Sequence, residues 1–325
     1  MKVALFGTLA CEQRERLLSK LTVPVELVPV PDGTPVDQAA RILADATVMV
    51  TMKYDRSHPP APALRLLLVG GAGYDDIDLG YLAPGVVVCN AFGHEVAIAE
   101  YVVLALLQWC SRFIEAERSF RVDGHWRLSG RTGAPFQEEL AGKTVGLLGY
   151  GHIGRALVPR LAALEAEVIV CTRTARPAPA GVRWLTDATG LAEFLRQADF
   201  VVVACALTPE TQGLLDRTRL AGMKRTAVLI NVSRGTIVDE DALYEALRDG
   251  VIGGAVLDAW YRYPTRDDLT VRPSKHPFHE LPNVYMTPHS SAWTIGMIER
   301  RWATIADNLD RFVREDPPIN VVHRA

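Results

Sequence analysis

The stretch Gly142–Arg155, GKTVGLLGYGHIGR, decides the fold of this chain. Its early part, Thr144–Leu148, is a short apolar run that reads as a buried strand. Gly149-Tyr150-Gly151-His152-Ile153-Gly154 then spells G-x-G-x-x-G, and an amphipathic helical pattern follows. Each glycine has a physical reason to be there. Gly149 allows a tight turn, Gly151 lets backbone N–H groups come close to a pyrophosphate, and Gly154 lets the helix pack closely on the strand. The helix N-terminus adds N–H groups and a positive dipole end for phosphates. A second apolar run, Val168–Cys171, arrives at the spacing of a βαβ unit. Gly149, Gly151, His152, Ile153 and Gly154 are therefore expected to bind a dinucleotide.

Short β-rich runs flank this unit on both sides. Before the fingerprint they are Val3–Gly7, Val25–Val28, Thr47–Thr51, Leu66–Val69 and Val86–Cys89, with helical patterns at Glu12–Leu21 and Val36–Ala44. After it come Phe200–Cys205, Ala227–Val232, Gly254–Asp258 and Val284–Thr287. Strands alternating with helices imply α/β architecture with doubly wound parallel sheets. One long helical pattern is expected from Val96 to about Val122, and another over Ser291–Glu315.

Composition narrows the class. With 325 residues, two domains are expected; 49% hydrophobic and 22% charged residues are those of an ordinary globular protein. A net charge of −3 gives no basic footprint, so nucleic acid is not an expected partner. The opening MKVALFGTLAC has too short an apolar run for a signal peptide, and Tyr101–Ser111 is too short to span a bilayer, so no membrane partner is expected. The five cysteines, Cys11, Cys89, Cys110, Cys171 and Cys205, have no metal-ligand or redox spacing. They read as small buried hydrophobes of a cytoplasmic protein, with no metal site.

Chemistry is expected where later strands end. Arg234 follows the strand that closes on Asn231-Val232-Ser233, and His289 follows Thr287-Pro288. Carboxyl ends of strands are where an open α/β sheet binds its ligands. A cation can grip carboxylate and carbonyl oxygens bidentately, and an imidazole can move a hydroxyl proton. Beside a nicotinamide, that pair suits hydride exchange at a 2-keto acid. Taken singly, Arg234 reads equally well as a surface ion-pair partner and His289 as a loop histidine.

Seven ordered strings remove that ambiguity: GAGYDDIDL (71–79), AIAEYVV (97–103), the fingerprint, ALTPETQGLLD (206–216), INVSRGTIVDEDAL (230–243), GAVLDAW (254–260) and NVYMTPH (283–289). With them the chain resembles the D-isomer-specific 2-hydroxyacid dehydrogenase family from about residue 45 to its end. The resemblance implies two Rossmann-like domains. Residues 1–93 and 290–325 would form a discontinuous, flavodoxin-like substrate domain, and 94–289 the Rossmann dinucleotide-binding domain. It implies an NAD(P)-dependent oxidoreductase for a small 2-hydroxy/2-keto acid, working as a homodimer. Arg234 would bind the substrate's carboxylate and carbonyl, His289 would be the acid/base, and backbone N–H groups at Ala72 and Gly73 would hold the carboxylate. Cys205, Val232 and Asp258 are expected among the cofactor contacts.

The departures from the family pattern carry as much information. Where the family has a catalytic glutamate before a proline, this chain has Tyr263-Pro264; Tyr263 stands at a catalytic position, unless Asp267 or Asp268 of the loop 262–277 takes over. A phenol cannot stabilise an imidazolium as a carboxylate does, so His289 is expected to titrate lower than in relatives. His94 sits where an asparagine is common and is a candidate substrate contact or a hinge residue; Lys53 is a candidate substrate contact or a solvated lysine. The cofactor-choice position also departs. An acidic residue about twenty positions past the fingerprint would bind the 2′-hydroxyl of NAD, but here Thr172 stands there, followed by Arg173 and Arg176. NADP(H) is therefore expected to be preferred over NAD(H). Two other readings stay open: a dinucleotide-sensing binding protein on the same scaffold, and a dehydrogenase for a specialised substrate such as a phosphonate or an aromatic keto acid, served by Trp260, Tyr261, Tyr263 and Trp293.

Overall fold

The apolar runs of the first ninety residues fold as buried parallel strands: β1 (Lys2–Phe6), β2 (Glu26–Val30), β3 (Val48–Thr51), β4 (Leu66–Val69) and β5 (Val87–Cys89). The computed structural model describes residues 1–264 and 268–325. Continuous apolar stretches rather than alternation are what a sheet covered on both faces demands, and β3 and β4 are buried at every position. The second series is β6 (Thr144–Leu148), β7 (Glu167–Cys171), β8 (Trp184–Thr186), β9 (Phe200–Val203), β10 (Val228–Asn231), β11 (Gly254–Leu257) and β12 (Val284–Met286). A last strand, β13 (Val321–Arg324), pairs antiparallel with β5.

The chain divides into two α/β units, Met1–His94 with Trp293–Ala325, and Glu95–Ala292. The first holds a six-stranded sheet in the order β13-β5-β4-β3-β1-β2. Without its antiparallel edge this is the 2-1-3-4-5 order of flavodoxin-like folds. The second holds a seven-stranded sheet, β12-β11-β10-β9-β6-β7-β8, parallel throughout. Its strands run outward in both directions from β6, the reversal that defines a Rossmann sheet and puts the ligand crevice at the end of the fingerprint strand.

Each sheet separates two apolar layers. In the larger unit, Leu148, Val201, Val203, Leu229 and Leu257 face Phe194, Leu220 and Leu243, while Val145, Leu147, Val202 and Ile230 face Val102, Leu106, Leu157 and Leu161. In the smaller unit, Leu5, Val50 and Leu68 pack on Trp302, Ile305 and Leu309 of the helix Ile295–Val313. Thr294 starts that helix by accepting the Met297 N–H on its side chain.

Three expectations need correction. The long helix expected from Val96 to about Val122 is two helices, Glu95–Ser111 and Phe113–Asp123, bent by 61°. Arg112 between them is left-handed, with φ 49°, and the Gln108 side chain accepts the Ile114 N–H that the break releases. The helix expected over Glu12–Leu21 is two short ones, Thr8–Glu12 and Arg14–Leu18, separated at Gln13. Strands β8 and β13 were not foreseen, because both are short edges defined by the neighbour they pair with rather than by their own pattern. No single helix among the described residues is long and apolar enough to cross a membrane.

Candidate active site

The fingerprint turn is tight at two glycines and open at the third. Gly149 has φ 108°, and a Cβ there would lie 2.7 Å from the Cys205 nitrogen and 2.8 Å from the Ala204 oxygen. A Cβ on Gly154 would lie 2.9 Å from the Gly149 oxygen, so the helix His152–Ala163 rests directly on the turn. At Gly151 a Cβ would meet nothing within 4 Å. Gly151 is also the N-cap of that helix, whose first turn has no side-chain cap. Open space, uncapped N–H groups and the positive end of a helix dipole together suit a pyrophosphate. Ile153 packs inward and His152 is exposed. Cys205 and Val232 follow β9 and β10 beside the turn; the Ser233 hydroxyl donates to the Cys205 carbonyl and links the two strand ends. Burial pushes the Cys205 thiol up to about 11, so it is no thiolate at neutral pH.

At the cofactor-choice position the Thr172 hydroxyl donates to the Thr174 carbonyl at 2.9 Å. Arg173 is exposed and near enough to Glu210 to help hold that carboxylate below its usual range, after the larger effects of the Thr208 side chain and local backbone. Arg176 donates to the Tyr150 carbonyl at 3.3 Å and lies over the Tyr150 ring at 5.1 Å. Of the two arginines, Arg176 is the one held over the fingerprint turn.

The groups expected to do chemistry come together where β10, β11 and β12 end. Buried Asn231 brackets the turn carrying Arg234: its side chain accepts the Ser233 N–H at 3.1 Å and donates to the Arg234 carbonyl at 2.9 Å. Arg234 itself is half-buried. Tyr263 places its hydroxyl 2.7 Å from His289 Nδ1 and 3.1 Å from the Trp260 nitrogen. Desolvation raises the Tyr263 phenol above the ordinary tyrosine range, against the Trp260 N–H and the Arg234 charge, which lower it. At neutral pH the partner of the imidazole is therefore an uncharged phenol.

His289 sits on an exposed, left-handed residue, φ 55°. Such a conformation in a non-glycine residue persists only where its surroundings fix it. Asp258 does so. One carboxylate oxygen accepts from the Thr287 hydroxyl at 2.6 Å and the Ser290 N–H at 2.8 Å, and the other from the Ser291 N–H at 3.0 Å. Tyr101 adds a 2.6 Å contact to the Thr287 hydroxyl, and the Trp260 indole donates to the Thr287 carbonyl at 2.8 Å. Asp258, expected as a cofactor contact, thus has both oxygens engaged by the loop that carries His289. Trp260, expected to face an aromatic substrate, is buried and joined to the same loop; Trp293 is 67% exposed. Asp268 accepts from the Thr270 N–H and hydroxyl; Asp267 lies outside the described residues.

The remaining candidates belong to the smaller unit. The Ala72 carbonyl accepts from the buried Asn90 side chain at 2.7 Å, and the Ala91 N–H reaches the Gly71 carbonyl at 3.0 Å, so Ala72 and Gly73 form a braced loop. Lys53 is exposed and ion-paired with Asp55 at 3.4 Å, the geometry of a solvated lysine. His94 is buried, stacked over Phe92 at a centroid distance of 6.2 Å, and the preceding Gly93 carbonyl accepts from Arg300. Asn231, Asn90 and Thr287 were missed as supporting residues. Asn231 and Thr287 each sit at a strand end next to a candidate, a signal that the sequence does carry.

Known proteins resemble this chain along its whole length. Residues 103–291 match the model of the D-isomer specific 2-hydroxyacid dehydrogenase NAD binding domain. Glyoxylate reductase of Thermococcus kodakarensis is 31% identical, the match covering 100% of this chain and 97% of that protein. The NADPH-dependent glyoxylate/hydroxypyruvate reductase of Sinorhizobium meliloti, solved with NADP and sulfate, superposes with a TM-score of 0.80 at 28% identity, over 99% of this chain and 98% of that one. The NAD-dependent formate dehydrogenase of Staphylococcus aureus, solved with NAD, gives 0.76 at 27% identity, over 99% of each chain. The chain belongs to the D-isomer specific 2-hydroxyacid dehydrogenase family.

Proposed function

We propose that the chain reduces a small 2-keto acid to the 2-hydroxy acid, or runs the reverse, with NADP(H) preferred over NAD(H). As a member of this family it is an NAD(P)-dependent oxidoreductase of 2-hydroxy and 2-keto acids. The observation that carries the assignment of roles is the group formed by Arg234, Tyr263 and His289 at the carboxyl ends of adjacent strands in the fingerprint's own sheet.

When bound, the nicotinamide supplies or takes the hydride at the substrate's carbonyl carbon. The pyrophosphate would lie on Gly151, His152 and the helix they open, with Arg176 on the 2′-phosphate. Arg234 grips the substrate's carboxylate and polarises its carbonyl oxygen; in the smaller unit, the N–H groups of Ala72 and Gly73 are assigned to carboxylate binding. His289 gives its proton to that oxygen as the hydride arrives, so that C=O becomes CH–OH. Residues 1–93 and 290–325 are assigned the substrate side and 94–289 the cofactor side. Glyoxylate and hydroxypyruvate, named for relatives, head the substrates to try. Turnover of a 2-keto acid panel with NADPH and NADH, followed at the nicotinamide absorbance, tests the proposal; failure with every acid and both cofactors, with cofactor binding intact, favours a dinucleotide sensor.

The cytoplasm and a homodimer complete the proposal. The helices Glu95–Ser111 and Phe113–Asp123 expose Leu104 (64%), Phe113 (64%) and Phe120 (52%). Apolar side chains clustered on one pair of helices mark an interaction site.

A further inference from the structure

A phenol beside the imidazole poses a problem of donors and acceptors that a carboxylate does not. A carboxylate only accepts, so it holds the ring with a proton on Nδ1. A phenol has one proton to give and lone pairs to receive. Here the Trp260 N–H, which can only donate, occupies one acceptor direction at 3.1 Å. Across the 2.7 Å contact to His289 Nδ1 the hydroxyl can then donate its single proton, or accept a second one. Donation satisfies the phenol's O–H where it stands. Acceptance requires that proton to turn elsewhere.

We propose that Tyr263 is the positioning residue of His289: its hydroxyl donates to Nδ1 of the neutral ring and accepts from Nδ1–H of the charged ring. The inference rests on the reading of His289 as the acid/base. It gives the neutral ring a specified tautomer, with the proton on Nε2 and Nδ1 as acceptor. In that form His289 donates a hydrogen bond at Nε2 but cannot take a proton there. Only the imidazolium delivers a proton from Nε2, and on doing so the ring is left as the Nδ1–H form, held by the phenol oxygen as acceptor. Return to the resting tautomer takes a proton from solvent at Nε2 of the exposed ring and loses the Nδ1 proton to solvent, after which the phenol's O–H turns back to Nδ1. The arrangement favours reduction below the histidine titration and handicaps alcohol oxidation, which needs the Nε2 lone pair. This reverses the direction that follows from the missing glutamate alone, where a neutral ring is simply a base.

Among the described residues, Arg234 and Asp258 are charged groups felt by the Tyr263 phenol, with Asp258 engaged by the Thr287–Ser291 loop. Neither replaces Tyr263 on Nδ1. The candidates for doing so are Asp267 and Asp268.

Nitrogen NMR of ¹⁵N-histidine-labelled protein tests this without turnover, His289 being identified by loss of its signals in His289→Asn. In the wild type at pH 8 the proposal expects an acceptor-type Nδ1 and a protonated Nε2. In Tyr263→Glu the neutral ring should switch to Nδ1–H, and its titration should rise by on the order of one pH unit if a close carboxylate forms. Tyr263→Phe, which keeps the ring but not the hydroxyl, should lose the Nδ1 hydrogen-bond signature. A wild-type ring with Nδ1–H, or a Tyr263→Phe spectrum unchanged in tautomer and titration, overturns the proposal; reversion of the wild-type signature in Asp267→Asn or Asp268→Asn would do the same and name the carboxylate responsible. Keto-acid turnover is scored separately. An inactive wild type with the expected tautomer condemns the functional reading and spares this one.

Discussion

Arg176 shows what a single side chain decides. Two arginines follow Thr172 in the sequence with nothing to separate them; the structure ties Arg176 to the Tyr150 carbonyl and ring and sets Arg173 near Glu210. A charge-assisted hydrogen bond to a phosphate is worth roughly 1.5–3 kcal/mol, or about ten- to hundredfold in affinity. Arg176→Ala should therefore weaken NADPH by that factor and NADH little, and Arg173→Ala should have the smaller effect. Fluorescence titrations with both cofactors check this; equal losses for NADPH and NADH in Arg176→Ala would remove it from phosphate reading. Arg234 and His289 could be singled out because each follows a strand end in a recognisable string, and Tyr263 because it precedes a proline where the family has a glutamate; the structure sets the Tyr263 hydroxyl on His289. The tautomer of His289 was not legible, since it depends on the Trp260 N–H that meets the same hydroxyl.

Among the elements, β10, β11 and β12 act together as a jig. A Cβ on Gly235 would lie 2.4 Å from the Trp260 carbonyl carbon and oxygen, so the turns after β10 and β11 touch backbone to backbone. Gly235→Ala must drive them apart. It should cost about 1–3 kcal/mol in denaturant unfolding, as overpacking does, and lower kcat by separating Arg234 from Tyr263. Asp258→Ala makes a sharper test. If Asp258 holds the His289 loop, the protein without cofactor loses on the order of 3 kcal/mol; if it serves only as a cofactor contact, that stability is unchanged. The core strands were legible as unbroken apolar runs. The break at Arg112 was not, because no glycine or proline marks it and the bend is secured by a hydrogen bond from Ile114 to Gln108. β13 was hidden likewise, being a strand only by its pairing with β5.

For the whole molecule, two sheets of different strand order arise from one chain that leaves its first unit at His94 and returns at Trp293. The alternating pattern and the fingerprint made both sheets readable; assembly was readable only as an apolar helix with nothing yet to cover it. If the helices at 95–123 form the dimer face, the paired change Leu104→Asp and Phe113→Asp should yield monomers in sedimentation at micromolar concentration while the wild type is a dimer. A monomeric wild type rules that face out. Whether this fold moves a hydride to a 2-keto acid with His289 as its proton donor is decided by kcat for NADPH-dependent reduction in His289→Ala, beside NADPH affinity measured on the same protein. General acid help is worth about 10²–10⁴-fold, so turnover should fall by that factor with affinity nearly unchanged; turnover within a few-fold of wild type would contradict it.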